Sequence, residues 1–124
     1  MAAESPKHLG FARERRIKQG RDFSKLRQHG KRLVHGCMIA NWLPAEIGKP
    51  SRLGVVVSGK VGNAVKRSRA RRLLREAFRL HQHEFEPVEL VLVARPSIAA
   101  KGFADVEQDF LTTLRKARLL LTEK

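Results

Sequence analysis

The sequence has 124 residues, which is enough for one domain with one hydrophobic core, and 42% of them are hydrophobic. Its 26 lysine and arginine residues against 12 acidic residues give a formal net charge of +14, which indicates a polyanionic partner. Nucleic acid is favoured over a membrane, because no apolar run approaches the ~18 residues that span a bilayer. The N-terminus lacks the apolar segment of a secretory signal, and the single cysteine, Cys37, excludes an internal disulfide and a cysteine-based zinc site. These features fit a protein of the reducing cytoplasm.

The first part of the chain is polar and basic, and we predict that residues 1–20 form a flexible arm. Such an arm is either a solvated tail or an additional contact with nucleic acid. A short helix is predicted over residues 23–29, with Asp22 as its N-cap and Gly30 at its end. It is too short to be stable alone and must lie on the rest of the domain.

Three strands are predicted next. Alternation predicts the first over residues 32–43. Its two sets of side chains are Leu33, His35, Cys37, Ile39 and Asn41 on one side and Val34, Met38, Ala40 and Trp42 on the other. Residues 44–51 predict a loop, so residues 53–58 form a second strand that pairs with the first as a hairpin. Residues 88–95 form the third strand, which Pro96 ends. The two later strands are almost wholly aliphatic, which predicts positions inside a sheet.

The most informative stretch is a basic helix, predicted from Asn63 as N-cap to about residue 80. Its apolar residues recur at helical spacing and form one face, which consists of Ala70, Leu73, Leu74, Ala77 and Phe78. At ~100° per residue, the opposite arc holds Arg69, Arg71, Arg72, Arg75 and Arg79. Only Glu76 opposes this charge, so the helix repels itself and is suited to a polyanion. Arginine favours phosphate in particular, because its planar fork donates two hydrogen bonds to one phosphate.

The loop before this helix has the sequence Gly59-Lys60-Val61-Gly62, a GxxG pattern. Two interpretations remain open for it. Backbone N–H groups at the helix N-terminus could be exposed to an anion, or the loop could be a tight turn before the Asn63 cap. Both can hold together.

The last helix is predicted from Asp105 to about residue 121. Its apolar face consists of Val106, Phe110, Leu114, Ala117 and Leu121, widened by Leu111 and Leu120. The order of elements is then α-β-β-α-β-α in a single domain over residues 21–121, with residues 122–124 as a tail. This order predicts helices packed on a sheet, and physical preference alone favours a right-handed crossover.

No set of side chains in the sequence suggests a protein-based active site or a metal site. Asp105 and Asp109 lie one helical turn apart, which favours dipole stabilisation at the start of a helix over a catalytic carboxylate pair. His81 and His83 are two residues apart at a helix end and lack a third defined ligand, so no zinc site is expected. Cys37 is expected to pack in the sheet as a small hydrophobic residue.

Residues 53–79, with the sequence LGVVVSGKVGNAVKRSRARRLLREAFR, closely resemble the signature of the bacterial ribonuclease P protein family. That signature is a strand ending in Ser, a basic Val-Gly-x-Ala-Val turn, an Arg-Asn-Arg sequence and a helix of the pattern Lys/Arg-Arg-x-x-Arg-x-x-Phe. Residues 21–23 look like the family's first helix, and residues 88–96 look like the strand before its last helix. The resemblance covers residues 13–119.

The resemblance implies a two-layer α/β (α+β) sandwich with a small mixed sheet, a left-handed βαβ crossover and a ribosomal-protein-like RNA-binding fold. It implies a cytoplasmic protein monomer that forms a 1:1 complex with the catalytic RNA subunit of ribonuclease P and binds precursor tRNA. That complex removes the 5′ leader by endonucleolytic cleavage to form the mature 5′ end. The RNA and its bound Mg²⁺ ions carry the chemistry, so the protein is expected to hold no catalytic residues and no metal site.

Two surfaces follow from the same resemblance. The expected RNA-binding residues are Lys60, Lys66, Arg67, Ser68, Arg69, Arg71, Arg72, Arg75 and Arg79. A cleft between the first helix and the sheet is expected to hold the single-stranded leader, with Arg16, Phe23, Arg27 and Asn41 as its residues. Spacing alone leaves open whether Phe23 packs in the protein or stacks on an unpaired base.

Four positions depart from the family pattern. Ser68 stands where Asn is usual, and Gly59 stands where Lys is usual, so one phosphate contact is expected to be missing. Arg27 and Asn41 occupy places that are often aromatic, so leader stacking is expected to be weaker or partly replaced by guanidinium stacking. The alternative function is a structural RNA-binding protein of ribosomal type with no role in tRNA processing. An independent nuclease is least favoured, because no acid/base or metal constellation is present.

Overall fold

The computed structural model describes Ile17 and residues 20–121, and within the first helix the side chains of residues 21–23 and 27 lie outside this description. The α-helices of the described part are α1 (Gly20–His29), α2 (Ala64–His81) and α3 (Phe103–Lys116). Its strands are β1 (Lys31–His35), β2 (Met38–Pro44), β3 (Arg52–Val56) and β4 (Val88–Ala94). Short 3₁₀ segments at Gly59–Val61 and Pro96–Ala100 precede α2 and α3.

The four strands form one mixed sheet in the order β1-β2-β4-β3. β2 is antiparallel to both β1 and β4, whereas β3 and β4 are parallel and are joined through α2. The predicted mixed α/β sheet and its parallel β3–α2–β4 crossover are therefore confirmed, and the left-handed sense of the crossover stays a prediction of the resemblance.

Alternating residues of β4 face two different layers. Val88, Leu90 and Leu92 are fully buried in the main core, which the sheet forms with α2 and α3. Val91, on the other face of the strand, packs with Leu26 of α1 and with Ile17 in a smaller cluster. The main core is the predicted two-layer sandwich, and α1 adds a partial layer on the opposite face of the sheet.

The prediction of one continuous strand over residues 32–43 was wrong, because a two-residue turn divides it into the hairpin β1–β2. His35 pairs with Met38 across the turn that Gly36 and Cys37 form. Gly36 has a φ of +57°, a left-handed conformation that residues with a side chain rarely adopt. A Cβ atom at Gly36 would also clash with the Asp109 carboxylate of α3. The turn reverses the chain, so Leu33 and His35 share the face of Met38, Ala40 and Trp42 rather than that of Asn41.

The predicted hairpin between residues 32–43 and 53–58 was wrong, because β4 lies between β2 and β3 in the sheet and pairs with both, and β3 is an edge strand rather than an interior one. One of its apolar residues is nonetheless buried, since Leu53 is 2% exposed and faces the main core. The open edge is covered where the N–H of Ile17 donates to the Leu53 carbonyl at 2.8 Å. β4 occupies the interior position that was predicted for it.

The first helix begins earlier than predicted, at Gly20 rather than after an Asp22 cap, and it ends at His29 as expected. Gly30 follows it with an N–H that donates to the Leu26 carbonyl at 2.9 Å. A Cβ atom at Gly30 would approach the backbone oxygens of Leu26 and Trp42 to 2.5 and 2.8 Å, so only glycine fits this passage from α1 to β1.

The last helix ends five residues before the predicted end at residue 121, because Arg118 adopts a left-handed conformation with φ 61°. The N–H groups of Arg118 and Leu119 donate to the carbonyls of Arg115 and Leu114, which is the Schellman pattern of a helix end. The chain then runs back beside Phe85, which forms a β-bridge with Leu120. Leu121 is 46% exposed and does not belong to the apolar face predicted for it.

Candidate nucleic-acid interface

The basic helix α2 is positioned by its N-cap and by its apolar face, both as predicted. The Asn63 side chain accepts a hydrogen bond from the Lys66 N–H at 3.0 Å, which fixes the first turn. The buried residues of the helix are the five predicted ones, Ala70, Leu73, Leu74, Ala77 and Phe78. This packing fixes the orientation of the remaining side chains relative to the sheet.

The cationic side chains of α2, together with Ser68, form what we call the basic face, which consists of Lys66, Arg67, Ser68, Arg69, Arg71, Arg72, Arg75 and Arg79. Lys66, Ser68 and Arg72 are exposed, and the other five are half-buried. Helical geometry places Ser68, Arg72, Arg75 and Arg79 in one stripe directly opposite the core. Arg71 lies on one flank of that stripe and Arg69 lies on the other, whereas Lys66 and Arg67 are in line with the apolar arc, one turn before its first buried residue, Ala70. The predicted cationic face is therefore present, and it spans a wide arc rather than a narrow ridge.

Arg69 and Arg79 of the basic face are engaged by hydrogen bonds inside the protein. Arg69 donates from Nη2 to the Lys101 carbonyl at 2.6 Å, which ties α2 to the segment before α3. Arg79 donates to both carboxylate oxygens of Glu76, from Nε at 3.1 Å and from Nη2. This hydrogen bond holds the pKa of the Glu76 carboxyl below its usual value. A guanidinium has five N–H donors, so neither contact exhausts the side chain.

Arg67 differs from Arg69 and Arg79, because one of its buried donors has no hydrogen-bond partner within the described part of the chain. Its Nε is buried and has no hydrogen-bond partner among the described residues. An unpaired buried donor costs about 1–3 kcal/mol. This one donor of the guanidinium is thus left unsatisfied among the described residues, and an oxygen acceptor of a bound molecule that reaches it would remove the cost.

The GxxG loop before α2 is a tight turn. The Val61 and Gly62 N–H groups donate to the carbonyls of Ser58 and Gly59 at 3.1 and 3.2 Å, and the Lys60 N–H donates to Ser58 Oγ at 3.3 Å. These three N–H groups are therefore engaged within the turn, and the Lys60 side chain is exposed at its tip. The predicted turn with Asn63 as cap is confirmed, and the alternative of an anion at the helix N-terminus stays a prediction.

The second predicted surface lies on the sheet face under α1. Asn41 is on this face, since it pairs with Val91, which packs against Leu26 of α1. Phe23 and Arg27 belong to α1, but their side chains are outside the described part of the chain, as is the whole of Arg16. The structure thus places the Asn41 side of the predicted cleft, and the other three positions stay predictions.

The pairing registers add residues to this face that the sequence analysis missed. We call these residues, together with Asn41, the sheet floor, which consists of Arg32, Val34, Ile39, Asn41, Val56 and Val93. Val34 and Val56 are 43% and 39% exposed, which is high for valines in a sheet. Arg32 lies directly opposite Asn41 across β1 and β2. The signal that could have found them is the His35-Gly36-Cys37-Met38 turn, which sets the register of β1 against β2.

The side chains considered for catalysis have structural partners. Asp105 accepts a hydrogen bond from the Gly102 N–H at 3.5 Å at the start of α3, as expected for a residue that stabilises a helix N-terminus. Asp109 differs from the prediction, because it accepts from the Cys37 N–H at 3.0 Å and holds the β1–β2 turn. Burial, together with Asp109, raises the pKa of the Cys37 thiol to about 12, and its side chain is fully buried in the main core as predicted.

The described residues contain no group of three or more His, Cys, Asp or Glu side chains that could hold a metal ion. Within the same part of the chain, no helix has the length and apolar character needed to cross a membrane.

Comparison with known proteins identifies the family. Residues 11–118 match the family model described as Ribonuclease P. The ribonuclease P protein component of Desulfatibacillum aliphaticivorans is 43% identical over 88 residues, covering 70% of this chain and 74% of that protein. The component of Gluconacetobacter diazotrophicus is 39% identical over 108 residues, covering 85% of this chain and 92% of that protein.

Solved structures show the same fold. The ribonuclease P protein of Staphylococcus aureus superposes with a TM-score of 0.79 at 24% identity, covering 86% of this chain and 97% of that one. The protein from Thermotoga maritima gives a TM-score of 0.73 at 26% identity, covering 82% of this chain and 96% of that one. With the family model matching most of the sequence and relatives well above 30% identity, this chain belongs to the ribonuclease P protein family.

Proposed function

We propose that this protein binds the catalytic RNA of ribonuclease P through the basic face of α2 and binds the 5′ leader of precursor tRNA on the sheet floor. The observation that carries the proposal is the basic face itself, in which a helix packed by five buried residues carries seven cationic side chains, five of them outside its apolar arc. Phosphate contacts of this kind position a protein on RNA without reading its sequence. Family membership supports the assignment of the RNA partner.

The sheet floor suits a different part of the substrate. Its exposed valines offer an apolar surface to the faces of unpaired bases, and Arg32 and Asn41 offer donors beside that surface. A single strand can be splayed on such a floor, whereas a double helix would present only its backbone. The floor therefore fits a single-stranded leader better than folded RNA.

In this proposal the protein contributes binding and the RNA contributes the chemistry. Mg²⁺ ions held by the RNA and the substrate would activate the attacking water and stabilise the leaving oxygen. The charge of α2 would reduce repulsion between the two RNA molecules and so lower the Mg²⁺ concentration that cleavage requires. We further propose that the protein acts as a monomer in a 1:1 complex in the cytoplasm.

The direct test is reconstitution of cleavage. A bacterial ribonuclease P RNA is incubated with precursor tRNA at a Mg²⁺ concentration too low for the RNA alone, with and without this protein. We expect the protein to restore cleavage at the mature 5′ end and to have no activity without the RNA. A protein that binds the RNA but does not restore cleavage would support the alternative of a structural RNA-binding protein, and cleavage by the protein alone would contradict both.

A further inference from the structure

The last residue of α2, His81, joins this helix to α3 through both of its ring nitrogens. Nδ1 lies 2.9 Å from Oε2 of Glu84, in the turn that follows α2, and Nε2 lies 2.7 Å from Oε2 of Glu107 on α3. A neutral imidazole has one donor nitrogen and one acceptor nitrogen, so one of these contacts would bring two acceptors together. Only the imidazolium donates to both carboxylates.

The surroundings of His81 favour the charged form. Its side chain is 15% exposed, so the hydrogen bonds are partly shielded from water. Burial lowers the pKa of His81, but the hydrogen bonds to Glu107 and Glu84 and the charges of these two carboxylates outweigh it, so the pKa is raised. The C-terminal end of α2 adds a partial negative charge that also favours a cation. The charged groups that act on His81 from the elements packed around it are Glu84 and Glu107.

This contact is a polar link between α2 and α3. A second link to the α3 region is the hydrogen bond from Arg69 to the Lys101 carbonyl, twelve residues earlier along α2. Between them the helix rests on apolar side chains such as Phe78 and Leu74, which fix the face that meets the core, and the polar links act in addition to this packing. Hydrogen bonds are directional, so two of them at separated points restrict the rotation of α2 about its own axis.

We propose that His81 is a positioning residue, held as an imidazolium between Glu84 and Glu107, which fixes the rotation of α2 and thereby the direction of its basic face. The role rests on the proposed function, since it matters only if the basic face binds RNA. The sign of its pH dependence follows from the direction of the shift. The link is complete below the ordinary pKa of histidine, and it is lost as the pH rises through the higher pKa of the folded protein.

The first measurement is an NMR titration of His81 in the free protein. The His81 signal is identified as the imidazole signal that is missing from the spectrum of His81→Arg. We expect a midpoint above the ordinary histidine pKa of about 6.5, and a lower midpoint in Glu107→Gln. Glu46→Gln is the matched control, because it makes the same charge change in an exposed loop, and its midpoint should equal that of the wild type.

The second measurement is the affinity for ribonuclease P RNA between pH 6 and pH 8.5. We expect the affinity of the wild type and of Glu46→Gln to fall by about threefold as the pH rises through the measured midpoint, because a loosened helix end weakens the phosphate contacts without removing them. His81→Arg keeps a permanent cation at this position, so its affinity should show no such fall. A role in general stability alone would not produce this pH profile.

Four results would overturn the positioning role of His81 or the function on which it rests. A His81 midpoint at or below the ordinary value, or one that Glu107→Gln leaves unchanged, overturns the proposal. A raised midpoint combined with tight RNA binding that does not vary with pH also overturns it, because His81 would then stabilise the fold without positioning α2. If the wild type fails to bind the RNA at every pH, the proposed function is refuted and the positioning role with it.

Discussion

The basic face of α2 and the sheet floor under α1 are built in opposite ways. The basic face consists of seven cations and a serine on one continuous helix, with charge as their shared property. The floor is assembled from four strands. Its exposed apolar residues are Val34 and Val56, and its polar residues are Arg32 and Asn41. The first surface is fit to bind any phosphate backbone, and the second is fit to contact bases that are not paired.

This difference predicts different energetics for the two surfaces. Phosphate contacts release counterions, so their contribution weakens as salt is added, whereas contacts between apolar side chains and bases depend little on salt. Binding through the basic face should therefore be strongly salt-dependent, and binding through the floor should depend on the presence of an unpaired strand. Variants that alter one surface alone can separate the two contributions.

The largest effect is expected from removing two charges of the basic face, in the double variant Arg71→Gln and Arg72→Gln. If each guanidinium contacts a phosphate, the affinity for ribonuclease P RNA should fall by roughly 100-fold, at ~1.4 kcal/mol for each lost contact. The slope of log K against log[salt] should become shallower by about 2. Binding measured over a series of salt concentrations gives both values.

The matched control removes two cations elsewhere, in Lys31→Gln with Lys49→Gln, since both side chains are exposed and lie outside the basic face and the sheet floor. The control should change the affinity far less than the Arg71 and Arg72 variant. Equal losses in the two variants would mean that the net charge of the protein, rather than the basic face, determines binding.

The basic face could be predicted from the sequence because its order is local. Its apolar and cationic residues alternate within one helix, and the helical period alone separates the arc of Leu74 and Phe78 from the arc of Arg72. The Asn63 cap is a similarly local signal, since the side chain bonds to the N–H three residues later. What the period could not show is the link from Arg69 to Lys101, because it joins residues that are distant in the sequence.

The sheet floor could be predicted only in part, because its order depends on pairing between distant strands. Alternation correctly marked residues 32–35 and 38–43 as extended. The turn at Gly36 and Cys37 reverses the chain, so the residues before it share a face with the opposite alternating set after it. The turn is held by the Asp109 carboxylate from α3, a contact with no local signal. Similarly, the aliphatic run of β3 predicted an interior strand, whereas β3 is an edge strand that Ile17 covers at Leu53.

A smaller effect is expected from the floor variant Val56→Ser. Val56 is 39% exposed at the edge of the sheet, so the substitution should leave the fold intact while it removes apolar contact area. The affinity for precursor tRNA should fall by about fivefold, which corresponds to ~1 kcal/mol of lost contact. Mature tRNA, which has no leader, should bind with unchanged affinity, and the salt slope should stay the same.

The control for Val56→Ser is Ile47→Ser, which removes an apolar side chain that is fully exposed in the loop after β2. It should leave both affinities unchanged. An equal loss for precursor and mature tRNA in Val56→Ser would show that the floor does not contact the leader, and the division between the two surfaces would then have to be abandoned.

The smallest effect is expected where the basic face is partly neutralised, at the pair of Glu76 and Arg79. Both side chains are partly exposed, and such a pair contributes only ~0.5 kcal/mol to stability. The hydrogen bond from Arg79 lowers the pKa of Glu76. The ion pair is therefore intact at neutral pH, and it is lost only as the pH falls through the lowered pKa of Glu76. Glu76→Gln should therefore leave the melting temperature nearly unchanged at pH 7, while it removes the carboxylate charge beside Arg79 and increases the affinity for ribonuclease P RNA about twofold at low salt. Because a phosphate competes with Glu76 for Arg79, the gain should disappear in Glu76→Gln combined with Arg79→Gln, and a gain that persists there would assign it to net charge instead.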